Sequence, residues 1–253
     1  MHPSPPPGIY TASFMRLRSA VLTDIGHQRR QNEDRYFCDA TLGLYGVADG
    51  VGGLPGGAEA AECATTSIVR QVQAAGPSGM PDLAQIVKNT NTEVLALGRE
   101  LSPQLGIGTT LTFGLVRADT LHLAHVGDSR CYAWSEGRMT QLSHDHNVEC
   151  EARRRRALGE VVYYHVANRQ ALTRCIGQNE PPEVDLLSRP LVPGERYLFC
   201  SDGITRLVRD PELSEFLAHA TTPEETLREL IDLANQRGGP DNVTGVLLLV
   251  EPD

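Results

Sequence analysis

The sequence predicts an α+β fold: two antiparallel β-sheets packed face to face, with a pair of α-helices outside each. Three observations carry this. Apolar runs of strand length come in groups and do not alternate one by one with helices. Two pairs of longer segments have helical spacing. The central strands follow one another across short polar turns, as antiparallel neighbours do.

Taken in order, residues 17–23 alternate weakly and open the chain as a strand, and residues 36–38 are short and strand-like. Residues 43–48 are an apolar run ending at Asp49, the pattern of a buried strand. Glycine-rich sequence to Gly57 gives way to residues 58–73, where Ala61, Ala64, Ile68 and Val72 recur at helical spacing. A break at 76–81 precedes a second long helix over 83–101, with Ile86, Val87, Val94, Leu95 and Leu97 as its apolar residues. After Ser102-Pro103 the period shortens, and residues 109–116, 120–126, 130–134 and 139–142 read as successive strands. Arg117-Ala118-Asp119 and Ser135-Glu136-Gly137 are hairpin loops between them. Residues 143–178 show no clean period. Residues 196–200 form another buried strand, ending at Ser201-Asp202. Helices follow over 211–220 and 223–237, the second with Thr222 as N-cap and Pro223 at its first position. Residues 243–250 are the last strand. With no linker visible, residues 16–253 read as one domain behind a Pro-rich tail at 1–15.

Composition narrows the function. A net charge of −9 argues against nucleic acid as the partner, because phosphate backbones select basic surfaces. No apolar run reaches the length of a membrane span, and the first residues lack the apolar core of a secretory signal. Six cysteines stand singly, with no CxxC pair, which points to free thiols in a reducing cytoplasm. No GxSxG pattern marks a serine nucleophile.

Four acidic motifs remain: Gln31-Asn32-Glu33-Asp34, Val47-Ala48-Asp49-Gly50-Val51-Gly52-Gly53, Ser201-Asp202-Gly203 and Asp241-Asn242, each beside an apolar strand. Any one of them reads equally as a turn. Together they gather carboxylates that would repel one another unless hard divalent cations such as Mg²⁺ or Mn²⁺ lay between them.

These motifs carry a resemblance. With Thr23-Asp24-Ile25-Gly26, Arg29 to Asp34, Gly108-Thr109-Thr110, the run from His125 to Tyr132, that from Leu142 to His146, that from Leu172 to Gly177 and that from Gly239 to Thr244, they resemble the metal-dependent serine/threonine protein phosphatases of type 2C (the PPM family) in their compact bacterial form. The matched segments stand in the family's order across nearly the whole chain. The resemblance implies a β-sandwich with a binuclear Mn²⁺ or Mg²⁺ site at one end. Asp49 would bridge both metals, Asp202 and Asp241 would hold the first, and the Gly50 carbonyl the second. Glu33 and Asp34 would act through metal-bound waters, with Asp24 and Asn242 as supports. Asp128 with Asp202 would hold a third, weaker cation. Arg29 would clamp the phosphate, with Arg30 as the alternative.

The implied reaction is direct attack of a metal-bridging hydroxide on phosphoserine or phosphothreonine of proteins, opposing a Ser/Thr kinase, in a cytoplasmic monomer. Val51 stands where many eukaryotic members have a histidine that protonates the leaving group, which leaves a metal-bound water near Asp128 for that role, with His144 and His146 as other candidates. The stretch before Leu172 corresponds to the family's flap and contains Arg153-Arg154-Arg155-Arg156, read as a solvated face before a steering patch. Leu158, Val161, Val162, Tyr163 and Tyr164 are expected to pack it onto the body. Two other readings share the motifs: a partner-binding member without catalysis, and a phosphoesterase acting on small molecules.

Overall fold

The computed structural model describes residues 15–77 and 79–252, so all of the expected tail but Met15 lies outside the described residues. In chain order the elements are β1 (Arg16–Asp24), β2 (Asp34–Asp39), β3 (Leu44–Asp49), α1 (Gly57–Ala74), α2 (Leu83–Leu101), β4 (Leu111–Arg117), β5 (Thr120–Val126), β6 (Arg130–Ser135), β7 (Arg138–Gln141), α3 (Val148–Ala157), β8 (Asp185–Pro190), β9 (Arg196–Cys200), α4 (Asp202–Thr205), α5 (Asp210–His219), α6 (Pro223–Gln236) and β10 (Val243–Glu251). One sheet has the order β1-β10-β9-β6-β7 and the other β2-β3-β4-β5-β8, with antiparallel pairing throughout.

Three apolar layers hold the sandwich together, and the central strand β10 shows how. Val246, Leu248 and Val250 point between the sheets, against Tyr45, Val47, Leu123, Tyr197 and Phe199. Val243, Leu247 and Leu249 point the other way, against Leu213, Leu227, Leu230 and Ile231 of α5 and α6. Covered on both faces, β10 is apolar without alternation. Each such side chain contributes about 1.5–3 kcal/mol by leaving water. On the far side α1 and α2 lay Ala61, Ala64, Ile68, Ile86, Val87 and Val94 onto Leu44, Leu111, Phe113 and Leu115.

Both predicted hairpin loops turn with positive φ, at Ala118 (45°) and Asp119 (58°), and at Glu136 (50°) and Gly137 (80°). That geometry matches the twist of the flanking strands. Thr222 and Pro223 open α6, but the Thr222 hydroxyl donates to Glu225 (2.6 Å) and does not cap the backbone.

Two elements outside the sequence reading have physical reasons for escaping it. Helix α3 buries only Ala152, so it has no apolar stripe. Strand β8 is a sheet edge whose Leu186 and Leu187 are both exposed. The expected packing of the flap is overturned: Leu158, Val161 and Tyr163 are 71%, 78% and 89% exposed. Only Val162 and Tyr164 are half-buried, and they serve the flap itself. Arg156 donates to the Val162 carbonyl (2.6 Å) and stacks over the Tyr164 ring at 5.4 Å.

Candidate active site at the acidic end of the sandwich

Strand polarity brings the acidic motifs to one end of the molecule. Asp34 opens β2 directly opposite Asp49, which closes β3. Asp202 follows the end of β9, Asp241 precedes β10, and Asp128 lies in the turn from β5 to β6. The sheet ladders therefore set the spacing of these carboxylates, more than their loops do.

Local hydrogen bonds pin Asp49, Asp34 and the segments beside them. The Asp49 N–H donates to Thr110 Oγ1 (2.9 Å), and the Asp49 carbonyl accepts from the Thr110 N–H (2.8 Å) and the Thr109 hydroxyl (3.0 Å). Thr110 also bonds Ser129 (2.7 Å), the neighbour of Asp128. Ser201 donates to Asp34 Oδ2 (2.7 Å) and accepts from the Thr244 N–H (3.0 Å), joining the two sheets beside Asp202. Asn242 donates to the carbonyls of Ile25 (2.9 Å) and Gln31 (3.0 Å) and accepts from the Glu33 N–H (2.8 Å). It thereby holds the loop that carries Arg29. Asp24 accepts from Gly26 (2.8 Å) and Asn235 (3.1 Å), fixing the start of that loop.

The glycines that follow Asp49 and Asp202 are steric requirements. A Cβ on Gly50 would lie 2.5 Å from the Gly57 backbone, and one on Gly203 would lie 1.9 Å from the Asn242 carbonyl. A Cβ on Gly52 would meet the Arg29 guanidinium at 2.8 Å.

Two arginines face the carboxylates. Arg29 donates to Asp241 Oδ2 (2.8 Å) and lies 3.6 Å from Glu33, whereas Arg30 is exposed. Burial opposes the charge of Arg29, but Asp241, Glu33 and Asp49 outweigh it. Arg206 pairs with Asp202 and reaches Asp241 Oδ2 at 3.3 Å. The sequence reading passed over it, although its position four residues after Asp202 at a strand-to-helix turn was a usable signal.

Burial, then mutual repulsion, raises the carboxyl groups. Asp34 and Asp128 are pushed up to about 6, Asp202 to about 8, and Asp49 well above the ordinary carboxylate range. Among the described residues, Asp34 Oδ1 and Asp202 Oδ1 are buried with no hydrogen-bond partner. Unpaired, buried anionic oxygens are costly. Hard oxygen donors in this state fit divalent cations such as Mn²⁺ or Mg²⁺. No three acidic, histidine or cysteine groups among the described residues form a closed ligand set; Asp202 and Asp241 turn instead to the arginines.

The neighbouring histidines are spent on structure. His125 bonds Thr112 (2.8 Å) and the His144 carbonyl (2.8 Å). His146 accepts from the Gly127 N–H (3.1 Å) and meets Asp185 (3.2 Å). His144 is exposed. A cleft of about 730 Å³ lies beside them, lined by Arg130, Asp145, His146, Arg153, Arg154 and Arg174 among others, but it contains none of the clustered carboxylates. The chemistry of the acidic end locates the site better than that hollow does.

Comparison with known proteins agrees with this geometry. A family model described as protein phosphatase 2C matches residues 26–236. The serine/threonine phosphatase stp of Listeria monocytogenes is 30% identical over 250 residues, which is 94% of this chain and 96% of that protein. The serine/threonine protein phosphatase PstP of Mycobacterium tuberculosis is 35% identical over 235 residues, 91% of this chain and 44% of that protein. A crystal structure of the PstP catalytic domain in complex with two manganese ions matches with a TM-score of 0.78 at 32% identity, covering 94% of this chain and 99% of that one.

Proposed function

Since the chain belongs to the protein phosphatase 2C family and is a serine/threonine protein phosphatase, we propose that it removes phosphate from phosphoserine and phosphothreonine of proteins, in opposition to a Ser/Thr kinase, using two divalent cations at its acidic end. The observation that carries this reading is the pair of orphaned, buried carboxylate oxygens on Asp34 and Asp202. Asp49, Asp202, Asp241 and the Gly50 carbonyl would hold the cations. When bound, they supply an acidified water as nucleophile and positive charge for the phosphoryl oxygens.

The protein's own groups do the rest. Arg29 presents a charged, planar guanidinium at the rim and binds phosphoryl oxygens, exchanging part of its contact with Asp241 for them. Gly52 leaves the space that this approach needs. Glu33 and Asp34 accept hydrogen bonds from ordered solvent and orient it, and Asn242 keeps Glu33 in place. The hydroxyls of Thr109 and Thr110 keep the Asp49 backbone rigid.

The test is hydrolysis of a phosphothreonine peptide by the purified protein with and without Mn²⁺. Loss of an outer partner in a metal site costs about 10–100-fold. Asp49→Asn, which removes a shared ligand, should therefore lower kcat/KM by more than about a hundredfold. Turnover that persists in a chelator, or that survives Asp49→Asn, refutes the reading.

A further inference from the structure

Arg206 stands in the acidic end as a built-in cation. It lies one residue past α4, whose single turn sets it over Asp202. Its reach is longer than that of a local ion pair. The same guanidinium contacts Asp241, 35 residues away, at 3.3 Å. After burial, which opposes its charge, Asp202, Asp128, Asp241 and Asp49 act on it, in that order. From the other side, Arg206 is the strongest charge offsetting the burial of Asp128, ahead of Arg130.

The charge balance points the same way. Fully ionised, as cation binding requires, Glu33, Asp34, Asp49, Asp128, Asp202 and Asp241 bring six negative charges, and Arg29 and Arg206 bring two positive ones. Four negative charges remain, which two dications balance. A third dication against Asp128 and Asp202 would have to displace the guanidinium already paired with Asp202, or add a net excess of positive charge beside it.

We propose that the Arg206 guanidinium is the resident cation of the Asp128–Asp202 corner, in the place of a third divalent ion, so that this chain takes up two divalent cations and not three. The inference rests on the metal-dependent reading above. Arg206 is then a positioning residue: it keeps Asp202 turned toward the site and leaves Asp128 without a metal to hold.

Titration calorimetry with Mn²⁺ alone, checked by metal analysis after gel filtration, tests this without reference to activity. The unaltered protein should take up two equivalents. Arg206→Gln, which removes the charge and keeps an amide donor on a shorter side chain, should take up three. Arg206→Lys should stay at two, and the double variant Arg206→Gln with Asp128→Asn should return to two. Three equivalents on the unaltered protein, or two on Arg206→Gln, overturn the inference and leave the phosphatase reading standing. No uptake by the unaltered protein overturns both.

Discussion

Two polar clusters sit side by side at the end of this sandwich, and they differ in whether they are finished. In the first, Arg130 grips Asp145 through two hydrogen bonds (2.8 and 2.6 Å), Gln141 adds a third (2.9 Å), and Tyr132 links Arg130 to Asp210. Next to it His146, Asp185 and Arg174 close on one another. In the second, Asp34, Asp128 and Asp202 are buried beside a half-buried Asp49, all with raised proton affinity, and two of their oxygens have no hydrogen-bond partner. The first cluster is internally satisfied and holds the structure. The second sets two arginines against a larger number of carboxylates and fits divalent cations. Burial alone does not distinguish them; the balance of donors, acceptors and charge does.

Breaking the finished cluster should have the largest effect on stability. Asp145→Ala leaves Arg130, which is largely covered, without its main partner. We expect a loss of about 3–5 kcal/mol in urea unfolding, with Mn²⁺ affinity changed less than about threefold. If Asp145→Ala instead abolished Mn²⁺ binding while leaving stability intact, the division between the clusters would be wrong.

The finished cluster also makes folding sensitive to acid. Burial, reinforced by His146 and opposed by the His144 carbonyl, Asp185 and Asp145, pushes His125 down to about 4 from 6.5. The unfolded chain therefore binds a proton near pH 6.5 that the folded chain refuses until about pH 4. Stability from this group is intact above pH 6.5 and is lost as pH falls toward 4, by about 2–3 kcal/mol. His125→Gln can keep the bonds to Thr112 and the His144 carbonyl and should flatten that slope in unfolding curves taken at pH 7, 6 and 5. An unchanged slope would remove His125 as its source.

The unfinished cluster should respond with the opposite sign. Asp34→Asn relieves a buried charge and can still accept from Ser201. In chelator at pH 7.5 the variant should be more stable than the parent by about 1–2 kcal/mol, and it should bind Mn²⁺ more weakly. A destabilised metal-free variant would mean that Asp34 belongs with the structural network after all.

What the sequence disclosed follows from where the information lies. β3, β9 and β10 are near-continuous apolar runs because both their faces are covered, and the Asp-Gly pairs beside β3 and β9 are legible because steric contact at Gly50 and Gly203 excludes any larger residue. Asp34 opposite Asp49 could be read only through pairing register, which a single sequence does not display. The Thr110–Ser129 link joins residues 19 apart whose hydroxyls look like ordinary strand polarity. Helix α3 was hidden because its long side chains face solvent and its one buried residue is an alanine.

That exposed helix gives the smallest expected effect, and it separates charge that builds structure from charge that only lies upon it. Arg155 pairs with Glu160 (2.6 Å), but both side chains are nearly half exposed, at 47% and 44%. In water the attraction is screened, and ordering two long side chains offsets most of what is left. Arg155→Ala should change unfolding free energy by less than about 0.5 kcal/mol, against several for Asp145→Ala. It should also leave KM the same for acidic and neutral phosphothreonine peptides, as a solvated face predicts. A KM that rises for acidic peptides alone, at constant kcat, would instead place this arginine in the path of the substrate and make α3 part of how the enzyme selects its phosphoproteins.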